Sequence, residues 1–345
     1  MKKVFVTGGA GFIGSHLCEA LLSEGHSVSA IDDLSTGRLQ NVAHLQSNCR
    51  FHLEIGSILD LRLLDAMFRS ADVVFHLAAS VGVQRIIELP VDTIETNVLG
   101  SHNVLTLAAR YSKLCLLAST SEVYGKSNKY PFTEEDDVVY GPTTKNRWSY
   151  ACSKAIDEFL ALAYYQEKSL PVIIARLFNT TGPRQTGRYG MVLPRFVDQA
   201  LRGEPITVFG DGTQSRCFAD VRDVVRALLL LVEQPTAVGQ VFNIGNPEEI
   251  SILELARLVR GLSHSDSTIQ LIPYDEAYQP GFEDMQRRVP CLRKLSHLTG
   301  FEPKISLREL VSSVIESRRR ELTESEELSL TDGLRSQAQP VGVAE

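Results

Sequence analysis

The first sixteen residues constrain the fold more than any other part of the chain. Lys3–Thr7 is a short apolar run of the buried-strand type, Gly8-Gly9-Ala10-Gly11 follows at once, and Phe12-Ile13-Gly14-Ser15 leads into helical spacing over His16–Ser23. Gly8, Gly11 and Gly14 stand in G-x-x-G-x-x-G spacing. A strand, glycine turn and helix in this order let backbone approach a pyrophosphate, where the free N–H groups and dipole of a helix N-terminus favour negative charge. A glycine triplet alone says little; in this context it reads as a dinucleotide loop, with Phe12 and Ile13 beside the ligand. The second strand, Ser27–Ile31, runs into Asp32 and Asp33. Acids there can accept hydrogen bonds from ribose hydroxyls and repel a 2′-phosphate, which favours NAD over NADP, although Arg38 nearby pulls the other way.

Further strand-like runs at Val73–Ala78, Cys115–Ser119, Val172–Leu177 and Val241–Ile244 alternate with helical patterns. That alternation predicts an α/β fold, a Rossmann-like doubly wound parallel sheet. From about Asn179 the texture changes, with Pro183, Gly187, Gly190, Pro194, Gly203 and Pro205 punctuating short elements. These suggest a smaller α/β substrate-binding domain over the carboxyl ends of the strands, where open α/β sheets take ligands. The expected division is 1–178 plus about 213–245 for the NAD-binding domain, and 179–212 plus 246–317 for the substrate domain. Residues 318–345 read as a peripheral or disordered tail.

Composition narrows the class. With 35 basic and 42 acidic residues the net charge is −7, which argues against nucleic acid as a partner. No apolar run reaches the roughly 18 to 20 residues of a membrane span. The six cysteines (Cys18, Cys49, Cys115, Cys152, Cys217 and Cys291) are scattered without a C-x-x-C pair. Reduced thiols in a cytoplasmic protein, with no metal site, are therefore expected.

The chemistry points to Ser149-Tyr150-Ala151-Cys152-Ser153-Lys154, which places Tyr150 and Lys154 one helical turn apart. A free tyrosine is a poor base at neutral pH; an ammonium one turn away favours the phenolate and is expected to lower its pKa. Such a tyrosine can take a proton from a sugar hydroxyl while hydride leaves for a nicotinamide. Y-x-x-x-K arises often by chance, but Leu117-Ala-Ser-Thr120-Ser121-Glu122-Val-Tyr124 supplies a hydroxyl cluster where a parallel strand should end. Hydroxyls there can hold the reacting oxygen.

In combination these motifs resemble the extended short-chain dehydrogenase/reductase family, the NAD-dependent nucleotide-sugar epimerases, dehydratases and decarboxylases, from Met1 to about Ile315. The resemblance implies roles for Thr120 at the substrate hydroxyl, Tyr150 as base, and Lys154 as its activator and nicotinamide-ribose contact. It implies cofactor contacts from Ser57, Ile58, Leu77, Ala78 and Ala79, and a sheet-bracing role for Asn97. It places Val81, Arg85, Ser121, Asn179, Arg184, Val208, Phe209, Arg216 and Arg288 around a nucleotide-sugar, most often UDP-linked, and implies a homodimer built on the Tyr150 helix and the helix around Thr96–Tyr111. Ser57 and Cys291 stand where the family often has aspartates.

All these reactions share a 4-keto sugar. Thr120-Ser121-Glu122 resembles the decarboxylases and some dehydratases, and a carboxylate at Glu122 can position the sugar or handle a proton. Ala175–Arg184 and Gln214–Phe218 resemble UDP-glucuronate decarboxylases, whereas Ala79–Arg85 resembles the epimerase loop. UDP-glucuronate decarboxylation is thus the leading expectation, ahead of 4-epimerisation of UDP-glucose or UDP-glucuronate and then 4,6-dehydration. A catalytically idle NAD-binding sensor is the alternative of another class, and it would more typically lack Tyr150 or Lys154.

Overall fold

In the computed structural model, residues 1–82, 86, 88–187, 191–273, 276 and 287–337 are described, with side chains as far as Thr323. Seven parallel strands form the centre: β1 (Lys3–Thr7), β2 (Ser27–Asp32), β3 (Phe51–Ile55), β4 (Val73–His76), β5 (Leu114–Thr120), β6 (Val172–Leu177) and β7 (Gln240–Ile244). Their spatial order is β7-β6-β5-β4-β1-β2-β3. The order reverses between β1 and β4, so a crevice opens at the carboxyl ends of these two strands. Strands β4, β5 and β6 read as near-continuous apolar runs because helices cover both faces. The expected strands all form. β3 adds an edge strand not among those expected; Phe51-His52-Leu53-Glu54-Ile55 alternates apolar and polar residues, as a strand half open to water does.

Helices α1 (Phe12–Ser23), α2 (Leu61–Ser70), α3 (Pro90–Arg110), α4 (Ser149–Lys168), α5 (Val192–Leu201), α6 (Val221–Val232), α7 (Ile252–Ser263), α8 (Arg293–Thr299) and α9 (Leu307–Gln337) complete the described helices. One face of the sheet packs Leu17, Leu21, Val224 and Leu228 of α1 and α6 over Val4, Val6 and Phe75. The other packs Leu64, Phe68, Val104, Leu107 and Ala161 of α2, α3 and α4 over Phe5, Val74 and Leu117. Alternation along each strand therefore feeds two cores.

A third core belongs to a separate lobe. Phe196, Val208, Leu255, Val259, Leu310 and Val314 join α5, α7, α9 and the Ile206–Phe209 strand. That strand pairs with Ile269–Ile272, and Ser215–Cys217 pairs antiparallel with Glu249–Ser251. Residues 318–337, expected as a peripheral or disordered tail, continue α9 as helix. The reason lies at its root, where Arg318 binds Asp198 at 2.7 Å and Arg319 donates to the Ser263 carbonyl at 2.7 Å.

Candidate active site

The glycine turn is built by backbone geometry. Gly8 has φ +74°, and a Cβ there would lie 2.9 Å from the Ala78 nitrogen. At Gly14 a Cβ would lie 2.0 Å from the Gly8 carbonyl oxygen, so only glycine lets α1 start this close to β1. The N-cap of α1 is Gly11, with no side chain bonded to the first turn and no acid in it. Its amides and positive dipole end therefore suit an anion. Asp32 shapes the same turn, accepting from the Ala10 amide at 2.9 Å and the Leu34 amide at 2.9 Å. Burial raises the Asp32 pKa and those backbone bonds pull it back.

A cavity of about 470 Å³ runs from this cradle to the lobe. Gly8, Gly11, Phe12, Ile13, Gly14, Asp32 and Asp33 line its first part, and Ile58, Leu77, Ala78 and Ala79 continue it. Thr120, Ser121, Glu122, Tyr150 and Lys154 line the middle. Val81, Asn179, Phe209, Arg216 and Arg288 line the rest. Three expected residues stand elsewhere. Ser57 does not line the cavity; its hydroxyl accepts from the Leu59 amide and closes a turn, while Gly56 and Ile58 face inward. Val208 is fully buried in the lobe core, because strand alternation turns it away from the cavity that Phe209 faces. Arg184 reaches back to α1, bonding Ser15 at 3.2 Å and Glu19 at 2.5 Å, and so ties lobe to cradle instead of lining the site. Arg85 lies outside the described residues.

The middle of the cavity is governed by charge. Glu122 follows β5 in a 3₁₀ turn whose start the Thr120 side chain caps, accepting from the Glu122 amide at 3.2 Å. Its carboxylate meets Arg147 through Oε2 and Arg288 through Oε1, each at 2.5 Å. Burial pushes its pKa up, but the two guanidiniums outweigh burial and hold it at about 2. Glu122 is thus fixed as a carboxylate, and the three groups together carry one net positive charge. The Thr120 hydroxyl hydrogen-bonds the Tyr150 phenol.

One expectation about Tyr150 is corrected. Burial first, and then the Glu122 charge, push its pKa far up, and the Thr120 bond and Arg147 only partly offset this. The Asp157 carboxylate, paired with the Lys154 ammonium at 2.8 Å, adds to the rise.

Behind the cavity, polar bonds fix the backbone. Asn97 of α3, expected to brace the sheet, instead accepts from the Ser80 amide at 2.8 Å and donates to Ser153 at 3.1 Å, tying the loop after β4 to α4. Arg176 of β6 grips Glu158 with Nε at 3.0 Å and Nη2 at 2.7 Å, and the Ser119 hydroxyl donates to the same carboxylate. Sequence reasoning missed Arg147 and Asp157. Arg147 lies only three residues before Tyr150, and Asp157 stands at i+3 from Lys154, a helical charge-pair spacing that could have exposed it.

Strand order, glycine cradle and Thr120-Tyr150-Lys154 cluster define a dinucleotide-dependent enzyme of the short-chain dehydrogenase/reductase type. The profile of the NAD-dependent epimerase/dehydratase family matches residues 4–245, and the chain belongs to that family. It is 42% identical over 316 residues to a UDP-N-acetyl-α-D-glucosaminuronate decarboxylase of Bacillus cytotoxicus, covering 91% of this chain and 97% of that one. It is 37% identical over 321 residues to UDP-glucuronic acid decarboxylase 1 of Danio rerio, covering 93% and 73%. Among solved structures, the UDP-glucuronic acid 4-epimerase from Bacillus cereus, held with UDP-glucuronic acid and NAD, superposes with TM-score 0.82 at 28% identity, covering 92% and 99%.

Proposed function

We propose that the chain decarboxylates a UDP-hexuronate, UDP-glucuronate first, using NAD bound in the glycine cradle. The observation that carries this reading is the pairing of Arg147 and Arg288 around Glu122, within the cavity that Tyr150 and Thr120 line. A net positive cluster suits a sugar that bears a carboxylate. A Glu122 held at about 2 is a weak base, which disfavours removal of the C5 proton and hence dehydration. The decarboxylase names of the relatives at 42% and 37% identity support the same choice.

The cradle fits a dinucleotide because α1 begins at Gly11 with no side-chain cap and no acid in its first turn, leaving its amides for a pyrophosphate, and because Asp32 and Asp33 line the cavity beyond it. NAD, when bound, accepts and returns a hydride. Tyr150 takes the proton of the C4 hydroxyl, with Thr120 holding the oxygen; the cationic nicotinamide of NAD, when bound, would favour the phenolate that burial and Glu122 otherwise oppose. The C4 ketone then lies β to the C6 carboxylate, so the C5–C6 bond can break, its electrons entering the C4–C5 enolate as CO₂ leaves. The enolate then takes a proton at C5 from solvent, and a UDP-pentose would form as the hydride returns to C4 and Tyr150 gives its proton back to the C4 oxygen, with Glu122 and its two arginines holding the sugar end.

A second substrate has its own support. The relative from Bacillus cytotoxicus acts on the 2-N-acetylated uronate, so that sugar belongs in the same assay. Two copies of the chain pair through α3 and α4, whose outer faces leave Val91 67%, Leu99 50%, Ile156 50% and Phe159 71% exposed. All six cysteines are free thiols, which fits a reducing, cytoplasmic setting. No described helix is long and apolar enough to cross a membrane.

The test is incubation of the protein with UDP-glucuronate and NAD, following sugar protons by NMR and CO₂ together. A UDP-pentose or UDP-4-keto-pentose with matching CO₂ is expected. UDP-galacturonate without CO₂ would replace decarboxylation by 4-epimerisation, and Glu122 would revert to a structural part.

A further inference from the structure

Two charges of the floor come from distant parts of the chain. Glu122 sits in the 3₁₀ turn Ser121–Tyr124 after β5, and Arg288 immediately precedes Val289–Cys291. The parts that hold these two segments together lie outside the cavity. They are Tyr124, Phe132 and Asn243, each at 0% exposure and none of them lining it.

Tyr124 closes the turn that carries Glu122. Its ring stacks on Phe132, with centroids 4.5 Å apart and planes 4° from parallel, and its hydroxyl donates to Asn243 Oδ1 at 2.7 Å. Phe132 holds the other segment. Its amide donates to the Val289 carbonyl at 2.8 Å, and its carbonyl accepts from the Cys291 amide at 2.8 Å. The same carbonyl accepts from Asn243 Nδ2 at 3.0 Å. Asn243 thus gives one end of its side-chain amide to each segment. It stands on β7, at the edge of the sheet, and its backbone amide donates to the Glu134 carboxylate at 2.9 Å. Arg176 of β6 donates to the Glu134 carbonyl at 3.2 Å, so the loop after Phe132 is pinned to both strands.

An amide this deep is costly unless both its ends are bonded, and a leucine of similar size would fill the space without that cost. What the asparagine adds is geometry. Its planar amide keeps acceptor and donor at a fixed separation, which sets the Tyr124 hydroxyl relative to the Phe132 carbonyl. A shift at either would open the Glu122–Arg288 pair, whose attraction depends steeply on distance away from water.

We propose that Asn243 is a positioning residue for the floor: through Tyr124 it sets the Glu122 turn, and through Phe132 it sets the Arg288 segment, so that the two charges meet. The inference rests on the reading of this floor as the uronate end of the site.

The experiment couples Asn243 to Arg288. Asn243→Leu keeps the bulk and removes both bonds, and kcat for UDP-glucuronate is expected to fall about 100-fold, as for an ångström-scale misplacement remote from the chemistry. In an Arg288→Met background the same change should cost less than about twofold, because the group it places is gone. Tyr124→Phe keeps the ring and its stacking, and serves where Asn243→Leu does not fold. It should lose about tenfold, again only with Arg288 present. An asparagine that merely supports the fold would lower turnover by the same factor in both backgrounds, and equal factors overturn the proposal. A second arm needs no activity. The coupling between Glu122→Gln and Arg288→Met in urea unfolding is measured in the otherwise wild-type chain and again with Tyr124→Phe. That coupling should fall by at least about half, and an unchanged coupling sinks the proposal. A wild type inert toward every uronate would defeat the functional reading, while the unfolding cycle would still judge the placement.

Discussion

The two ends of the cavity are made in opposite ways. The cradle at α1 is backbone: three glycines, a helix start and an aspartate that braces the turn. The floor around Glu122 is charge: a carboxylate after β5, an arginine before α4 and another more than a hundred residues later. The cradle tolerates no added atoms at two positions, and no ion pair forms its glycine turn. The floor has no such steric limit, yet each charge there is viable only with its partners. A site built of backbone thus fails by collision, and a site built of charge fails by imbalance.

The largest effect should come from unbalancing the floor. Arg288→Met is expected to cut turnover of a carboxylated sugar about 10³-fold while leaving NAD affinity within about twofold, since the cradle is remote from it. Steady-state kinetics beside NAD titration would check this, and an equal loss in both would merge the two ends into one unit.

Stability should respond to pH through the same floor. Glu122 is depressed from an ordinary 4.5 to about 2, so its contribution is present above 4.5 and is lost as pH falls through 2. About 3 kcal/mol is at stake by that shift. Urea unfolding across pH 5 to about 2.5 should show the decline in wild type and a flatter curve in Glu122→Gln.

Collision in the cradle comes next. Gly14→Ala puts a Cβ against the Gly8 carbonyl, and NAD affinity should drop about 100-fold, near 2.7 kcal/mol, with the floor's pH-dependent stability unchanged. Titration calorimetry would measure it. The smallest effect belongs to Asp33, exposed at the ribose end of the cradle: Asp33→Ser should weaken NAD about tenfold and narrow its advantage over NADP. A variant that binds both dinucleotides as wild type does would leave that discrimination to Asp32.

The same division explains what could be read in advance. Gly8, Gly11, Gly14, Asp32, Tyr150 and Lys154 announce themselves because each motif lies within a single strand-turn-helix or one helical turn, where spacing fixes geometry. The buried strands are legible from their apolar runs, whereas the edge strand Phe51–Ile55 shows only as a five-residue apolar/polar alternation, too short to stand out. Phe209 and Val208 could be separated only once the strand's facing was known. Arg184 carries the right chemistry for a diphosphate, yet Glu19 and Ser15 hold it against α1.

By itself the sequence determined the class of fold, the cradle and the tyrosine-lysine pair, because local hydrogen bonding and side-chain period act over a few residues. The tertiary structure alone decided the charge state of the site. Whether Glu122 is a base or a clamped carboxylate depends on which distant groups share a water-poor space. Coulomb energy there turns on ångström distances that no spacing along the chain encodes.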